Sequence, residues 1–101
     1  MIIKVTKDNF ESVKNGDKPL LLDFYADWCG PCRALSPIID QIAAERTDIT
    51  VGKVNVDEQG ELAAAFGIVS IPALIVMKDG EIANRATGAR PKAQVLALID
   101  G

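Results

Sequence analysis

The chain has 101 residues, 49% of them apolar, 25% charged and 5% aromatic, which is the size of one domain and too short for a multi-domain enzyme. Eleven basic and fourteen acidic residues leave a net charge of -3 with both signs interspersed, which argues against a nucleic-acid footprint or a polybasic membrane patch. Two cysteines and no histidine exclude more: there is no imidazole to activate a serine or cysteine nucleophile or to ligate a metal, and two thiolates alone close neither a structural zinc site nor an iron–sulfur cluster.

Ile2, Ile3 and Val5 predict a short first strand. Thr6 or Asp8 offers a cap, with Glu11 three residues after Asp8, for a helix reaching about Lys14. Asn15-Gly16-Asp17-Lys18-Pro19 is turn chemistry, and Leu20 to Ala26 is an almost continuous apolar run that suits a central strand buried on both faces. A long helix follows from Cys29 or Gly30 to Arg46, with Leu35, Ile38, Ile39, Ile42 and Ala43 forming one apolar stripe. Pro37 falls inside it, where it removes a backbone hydrogen bond and is expected to kink the helix.

Ile49 to Val56 reads as another strand, and Asp57 as the cap of a third helix through Glu61–Phe66 that Gly67 stops. Ala73–Lys78, Asp79-Gly80 and Glu81–Thr87 predict a hairpin, and Pro91 opens a last helix from Lys92 to about Asp100. The order is βαβαβα followed by ββα: parallel strands with helical crossovers, then an antiparallel hairpin, in one mixed α/β domain spanning 1–101. No secretory leader pattern is visible and no apolar run approaches 18 residues, so the chain is expected to be cytoplasmic, with no membrane partner.

The cysteines sit in Trp28-Cys29-Gly30-Pro31-Cys32, where the buried strand passes into the long helix. Three positions apart at a helix start, they lie on one face, with Cα atoms about 5 Å apart, a span that a disulfide bridges. Cys29 falls at the terminus, where free N–H groups and the helix dipole favour its thiolate, the attacking species. Cys32, one turn in, is better placed to resolve a mixed disulfide. Pro31 fits the first turn without losing a needed hydrogen bond. As a purely structural staple the pair would be a poor one, because a four-residue loop contributes only about 2 kcal/mol against nearly 5 for a loop of about 100 residues. Redox chemistry is the expected use.

The segment Asp23-Phe24-Tyr25-Ala26-Asp27-Trp28-Cys29-Gly30-Pro31-Cys32-Arg33 resembles the active-site segment of the thioredoxin family. The resemblance runs over essentially the whole chain: Pro37 is similar to the family's helix-kinking proline, Lys53-Val54-Asn55-Val56-Asp57 to its third strand, Ser70-Ile71-Pro72 to the segment with its cis-proline, and Gly88 to the glycine of its substrate groove. It implies a thioredoxin fold, a five-stranded mixed sheet flanked by four helices. It also implies a protein disulfide reductase that cycles between dithiol and disulfide through a mixed disulfide, with no cofactor beyond Cys29-Cys32 and no metal. The expected partners are disulfide-containing protein substrates and a flavin-containing thioredoxin reductase drawing on NADPH, the chain itself being a monomer.

Asp23 interrupts an apolar strand, an expensive place for a carboxylate unless it points to solvent at the strand end. Buried, it would keep its proton to a higher pH than usual, beneath the dithiol. The resemblance implies that it takes the proton of Cys32 through water, and that Lys53 on an adjacent strand pairs with it, although a lone strand lysine more often faces solvent. Ile71-Pro72 has a bland reading as a turn before a strand; the resemblance implies that Ile71 holds the substrate backbone. Trp28, directly before Cys29, is expected to flank the site with Gly30, Pro31, Ile71, Gly88 and Ala89 in a flat apolar patch suited to protein substrates. Phe10 and the Val95-Leu96-Leu98-Ile99 stripe read as core.

The sequence departs from the family's commonest pattern at Tyr25, where tryptophan is frequent, at Val69, where a basic residue is frequent, at Ala73 in place of threonine and at Arg33 in place of lysine. Those changes bear on partner preference. Two rivals remain. Oxidase and isomerase relatives usually carry histidine between the cysteines, unlike Gly30-Pro31, and a binding or assembly subunit would work without redox cycling.

Overall fold

The computed structural model describes residues 2–101. The elements run β1 (Ile2–Lys4), α1 (Phe10–Lys14), β2 (Leu20–Tyr25), α2 (Gly30–Glu45), β3 (Thr50–Asn55), α3 (Gly60–Ala65), β4 (Ala73–Lys78), β5 (Glu81–Thr87) and α4 (Lys92–Asp100). The expected order of strands and helices is observed. The strands form one five-stranded sheet in the order β1-β3-β2-β4-β5. β1 and β2 flank β3 in parallel, while β4 pairs antiparallel with β2 and β5.

β2 is central, and Leu20 to Phe24 are buried throughout, as a strand covered on both faces requires. Its side chains divide by parity between two apolar clusters. Leu20, Leu22 and Phe24 join Val54, Ile75 and Phe66 on the α1/α3 side. Leu21 joins Val51, Leu74 and Val76 on the other, beneath Leu35, Ile39 and Ile42 of α2 and Val95 and Ile99 of α4. Asp23 follows the parity of Leu21 and so faces α2. Lys53 follows Val51 to the same side, and the two are register partners across β2 and β3.

Local chemistry accounts for most boundaries and corrects two expected caps. The reciprocal bonds at the entry to α1 join Thr6 and Asn9: the Thr6 N–H donates to Asn9 Oδ1 (2.8 Å) and the Asn9 N–H to Thr6 Oγ1 (3.4 Å). The N-cap position of α1 belongs to Asn9, which makes no side-chain cap bond, so neither Thr6 nor Asp8 is the cap; Thr6 and Asn9 brace the turn that leads into the helix. Asp57 does not cap α3; Gln59 occupies the cap position without a side-chain bond, and the Asp57 carboxylate is engaged elsewhere. α2 runs continuously through Pro37. Asp79 (φ 55°) and Gly80 (φ 79°) both adopt the left-handed conformation that a two-residue hairpin turn demands, which explains Asp-Gly at this point. Phe10 is half-buried and meets Phe66 edge-on at 5.5 Å, so it seals the margin of its cluster. In α4, Val95 and Ile99 are core, while Leu96 and Leu98 are half-buried at its edge.

Candidate active site

β2 delivers the chain to the C-terminal edge of the sheet, and after the four residues 26–29 α2 begins. Cys29 holds the N-cap position in extended conformation (φ -87°, ψ 112°), and the Cys32 N–H donates to its sulfur at 3.2 Å. A helix start leaves its first N–H groups without carbonyl partners. Here one of them is directed at Sγ of Cys29. Cys29 and Cys32 are disulfide-bonded, with Cα atoms 5.2 Å apart, inside the bridging range expected for this spacing. Both are only 4% exposed, more covered than their place at a helix start suggests, because Ala26 packs with them and Tyr25, Val56 and Ile71 close around them.

On one side of the disulfide lies a shallow apolar groove of about 170 Å³, lined by Trp28, Val56, Ala63, Ile68, Val69 and Ile71 among others. Trp28 is 68% exposed, which removes the possibility that it is core, and Val69 is 96% exposed. The indole is nevertheless fixed, since its Nε1–H donates to Asp57 Oδ2 at 2.9 Å. The Ile71–Pro72 peptide is cis, and the Ile71 carbonyl oxygen lies 4.0 Å from Cys29 Sγ. Gly88, at φ 98°, donates its N–H to the Pro72 carbonyl at 2.8 Å, which ties it to the cis-proline segment. Gly30 and Pro31 are exposed at the helix start.

On the other side is a cavity of about 210 Å³ bounded by Asp23, Cys32, Ser36 and Lys53, with Tyr25, Ala26, Asp27 and Arg33 completing it. Asp23 is 2% exposed, so it does not point to solvent, and its Oδ1 has no hydrogen-bond partner among the described residues. Burial pushes its carboxyl up from 3.8 to about 6; the Lys53 charge works against that shift and the Asp40 charge adds to it.

The expected pairing of Lys53 with Asp23 is corrected. Although the two residues are neighbours in register, the Lys53 ammonium donates to Ser36 Oγ (2.8 Å) and Asp40 Oδ1 (3.4 Å) on α2. An ammonium with donors to satisfy takes the hydroxyl and carboxylate offered from the helix above, and acts on Asp23 through space. Cysteine, aspartate and lysine thus meet around one cavity, while Trp28, Ile71 and Pro72 gather at the opposite side of the sulfurs.

Sequence reasoning missed Ser36, Asp40 and the anchoring role of Asp57. For the first two a signal existed, because Cys32, Ser36 and Asp40 recur every four residues and so share one face of α2. Asp57 looked like a cap, and nothing local reveals that a residue 29 positions away claims it. Among the described residues no group of three or more His, Cys, Asp or Glu side chains is arranged to hold a metal, and no helix is long and apolar enough to cross a membrane.

The sequence profile of the thioredoxin family matches residues 1–101. The chain is 49% identical over 96 residues to a thioredoxin of Mycobacterium tuberculosis, covering 93% of this chain and 83% of that one. It is 46% identical over 96 residues to a thioredoxin of Alicyclobacillus acidocaldarius, covering 94% and 91%, and 41% identical over 101 residues to one of Chlamydia pneumoniae, covering 99% and 97%. With a matching family over its full length, a five-stranded mixed sheet with four helices and a disulfide across Cys-Gly-Pro-Cys, the chain belongs to the thioredoxin family and is a thiol–disulfide oxidoreductase.

Proposed function

We propose that residues 1–101 act as one domain in which Cys29 is the attacking sulfur and Cys32 the resolving one. In the reduced protein the Cys29 thiolate attacks one sulfur of a substrate disulfide, forming a mixed disulfide and releasing the other substrate sulfur as a thiolate. Cys32 gives up its proton and attacks Cys29 Sγ; the Cys29–Cys32 bond forms and the second substrate sulfur leaves. Two electrons pass to the substrate, its two thiolates take up protons, and the protein ends oxidised. What carries the assignment of the two sulfurs is the N-cap position of Cys29, whose Sγ accepts the Cys32 N–H at 3.2 Å. The same donor stabilises the Cys29 thiolate in the first step, and Cys29 as leaving group when the disulfide is next reduced.

Asp23 accepts the Cys32 proton through water in the cavity they share. A carboxyl with its midpoint at about 6 is mostly ionised at neutral pH yet basic enough to take a proton, which suits a general base. Lys53 limits how far burial raises that midpoint. Trp28, Gly30, Pro31, Ile71 and Pro72 form the surface that receives the substrate chain, with Gly88 supporting Pro72 through its 2.8 Å hydrogen bond. The Ile71 carbonyl, 4.0 Å from Cys29 Sγ, is placed to accept a substrate N–H beside the attacked sulfur.

No cofactor beyond the disulfide enters the cycle, and a thioredoxin reductase returns the electrons to this chain, acting as a monomer in the cytoplasm. The test is insulin reduction driven by NADPH and thioredoxin reductase. Cys29→Ser is expected to fall to the rate without protein, whereas reduction equal to the parent would contradict the assignment.

A further inference from the structure

The Lys53 side chain has two anionic neighbours and bonds only one of them. Its register partner on β2 is Asp23, and both face α2. Yet the ammonium is held from above, by Ser36 Oγ at 2.8 Å and Asp40 Oδ1 at 3.4 Å, while Asp23 Oδ1 is left without a partner among the described residues. Ser36 and Asp40 lie four and eight residues after Cys32, so the helix that carries the resolving cysteine also carries the two groups that hold the lysine. Ser36 is half-buried and borders the same cavity as Asp23 and Cys32, whereas Asp40 is at the solvent side.

We propose that Ser36 and Asp40 are positioning residues that tether the Lys53 ammonium on the α2 side of the cavity, away from a direct bond with Asp23, and thereby set the pH at which Asp23 gains or loses its proton. The tether rests on the reading of Asp23 as proton acceptor for Cys32. A lysine free to turn onto the buried carboxylate would neutralise it as an ion pair and make it a weaker base. Held by the hydroxyl and the outer carboxylate, the ammonium supplies only a moderating charge.

The other ionisable groups facing this space do not substitute for it. Arg33 on α2 donates from Nη1 to the Asp27 carbonyl at 2.7 Å and so walls the cavity mouth. Tyr25 and Asp27 border it from the end of β2 and the turn after it. Lys4, the register neighbour of Lys53 on β1, pairs with Glu58 at 3.2 Å. From β4, the register partner of Asp23 is the apolar Leu74.

The experiment follows the Asp23 carboxyl carbon by NMR across pH in the parent, Ser36→Ala, Ser36→Thr and Asp40→Asn proteins, and again in a Lys53→Met background. Ser36→Ala is expected to lower the Asp23 midpoint by about one pH unit, the scale of an opposite charge brought into contact. Ser36→Thr, which keeps the hydroxyl, is expected to restore the parent value. Asp40→Asn is expected to lower the midpoint too, since it weakens the hold on the lysine and removes a facing anion. With Lys53→Met present, Ser36→Ala is expected to have no effect. A parent midpoint in Ser36→Ala, or an equal shift in the Lys53→Met background, would overturn the tether. Turnover of Asp23→Asn is read separately: an unchanged pH–rate profile there removes the catalytic reading of Asp23, while the carboxyl titration still decides the tether.

Discussion

The two sides of the Cys29–Cys32 disulfide are built from opposite materials. Toward Trp28 the wall is apolar and open, with Trp28 and Val69 largely exposed and a single polar anchor, the 2.9 Å bond from the indole to Asp57. Toward Asp23 the wall is charged and recessed, with a buried carboxylate, an ammonium, a hydroxyl and the second cysteine around one cavity. The difference follows the chemistry proposed for the two sulfurs. In that mechanism Cys29 meets a substrate from outside, which calls for apolar area that a protein chain can cover. Cys32 loses a proton inside, which calls for a base shielded from bulk water. A helix start projecting from the end of a central strand lets one short loop serve both sides.

If that division holds, substitutions on the Asp23 side alter proton-dependent quantities and those on the Trp28 side alter recognition of large substrates. The largest effects are expected at Asp23. Asp23→Asn is expected to slow the resolving step at neutral pH by about 10²-fold, the usual worth of a general base, measured by rapid mixing with a protein disulfide. It is also expected to be stabilising at alkaline pH. The folded midpoint of about 6 lies above the ordinary 3.8, so the folded state holds this proton more tightly than the unfolded chain. The group's contribution is therefore full below about pH 4, declines as pH rises through about 6, and is lost above that, by about 3 kcal/mol. Urea unfolding of the oxidised proteins is expected to show the asparagine variant more stable near pH 8 and level with the parent near pH 3.5; equal stability near pH 8 would show that the carboxylate is not isolated.

A smaller effect is expected at Trp28, where replacement by alanine removes both apolar area and the Asp57 bond. Its kcat/KM for insulin is expected to fall about tenfold, as for a central contact residue, with little change for a small-molecule disulfide. Equal losses for both substrates would place Trp28 in the chemistry and blur the division. The smallest effect is expected at Val69, fully outside the core. Val69→Lys is expected to leave stability within about 0.5 kcal/mol and to alter only the salt dependence of reduction by the reductase, read by repeating the NADPH-coupled assay at two ionic strengths.

What the sequence revealed differs in the same way. The succession of elements along the chain and the burial of both faces of β2 were readable, because apolar period and turn residues such as Asp79-Gly80 act over a few positions; the order of strands within the sheet was not. The cysteine pair, Asp23 and the Ile71-Pro72 segment were readable from local motif and from family resemblance. The destination of long polar side chains was not. Lys53 looked like the partner of Asp23, since adjacency in register is the nearest thing to contact that a sequence suggests, but its ammonium travels upward to Ser36 and Asp40. Asp57 looked like a helix cap until the distant indole claimed it. A four-atom stem has too many destinations for spacing to choose among; only packing of α2 over the sheet selects one.

The division of labour between the sulfurs is tested most directly by trapping the mixed disulfide. Cys32→Ser and Cys29→Ser proteins, each reduced and then mixed with a disulfide-containing protein, are separated without reductant and weighed by mass spectrometry. The account requires a covalent adduct through Cys29 to accumulate with Cys32→Ser and essentially none to form with Cys29→Ser. An adduct of equal yield through Cys32 in the Cys29→Ser protein would contradict it.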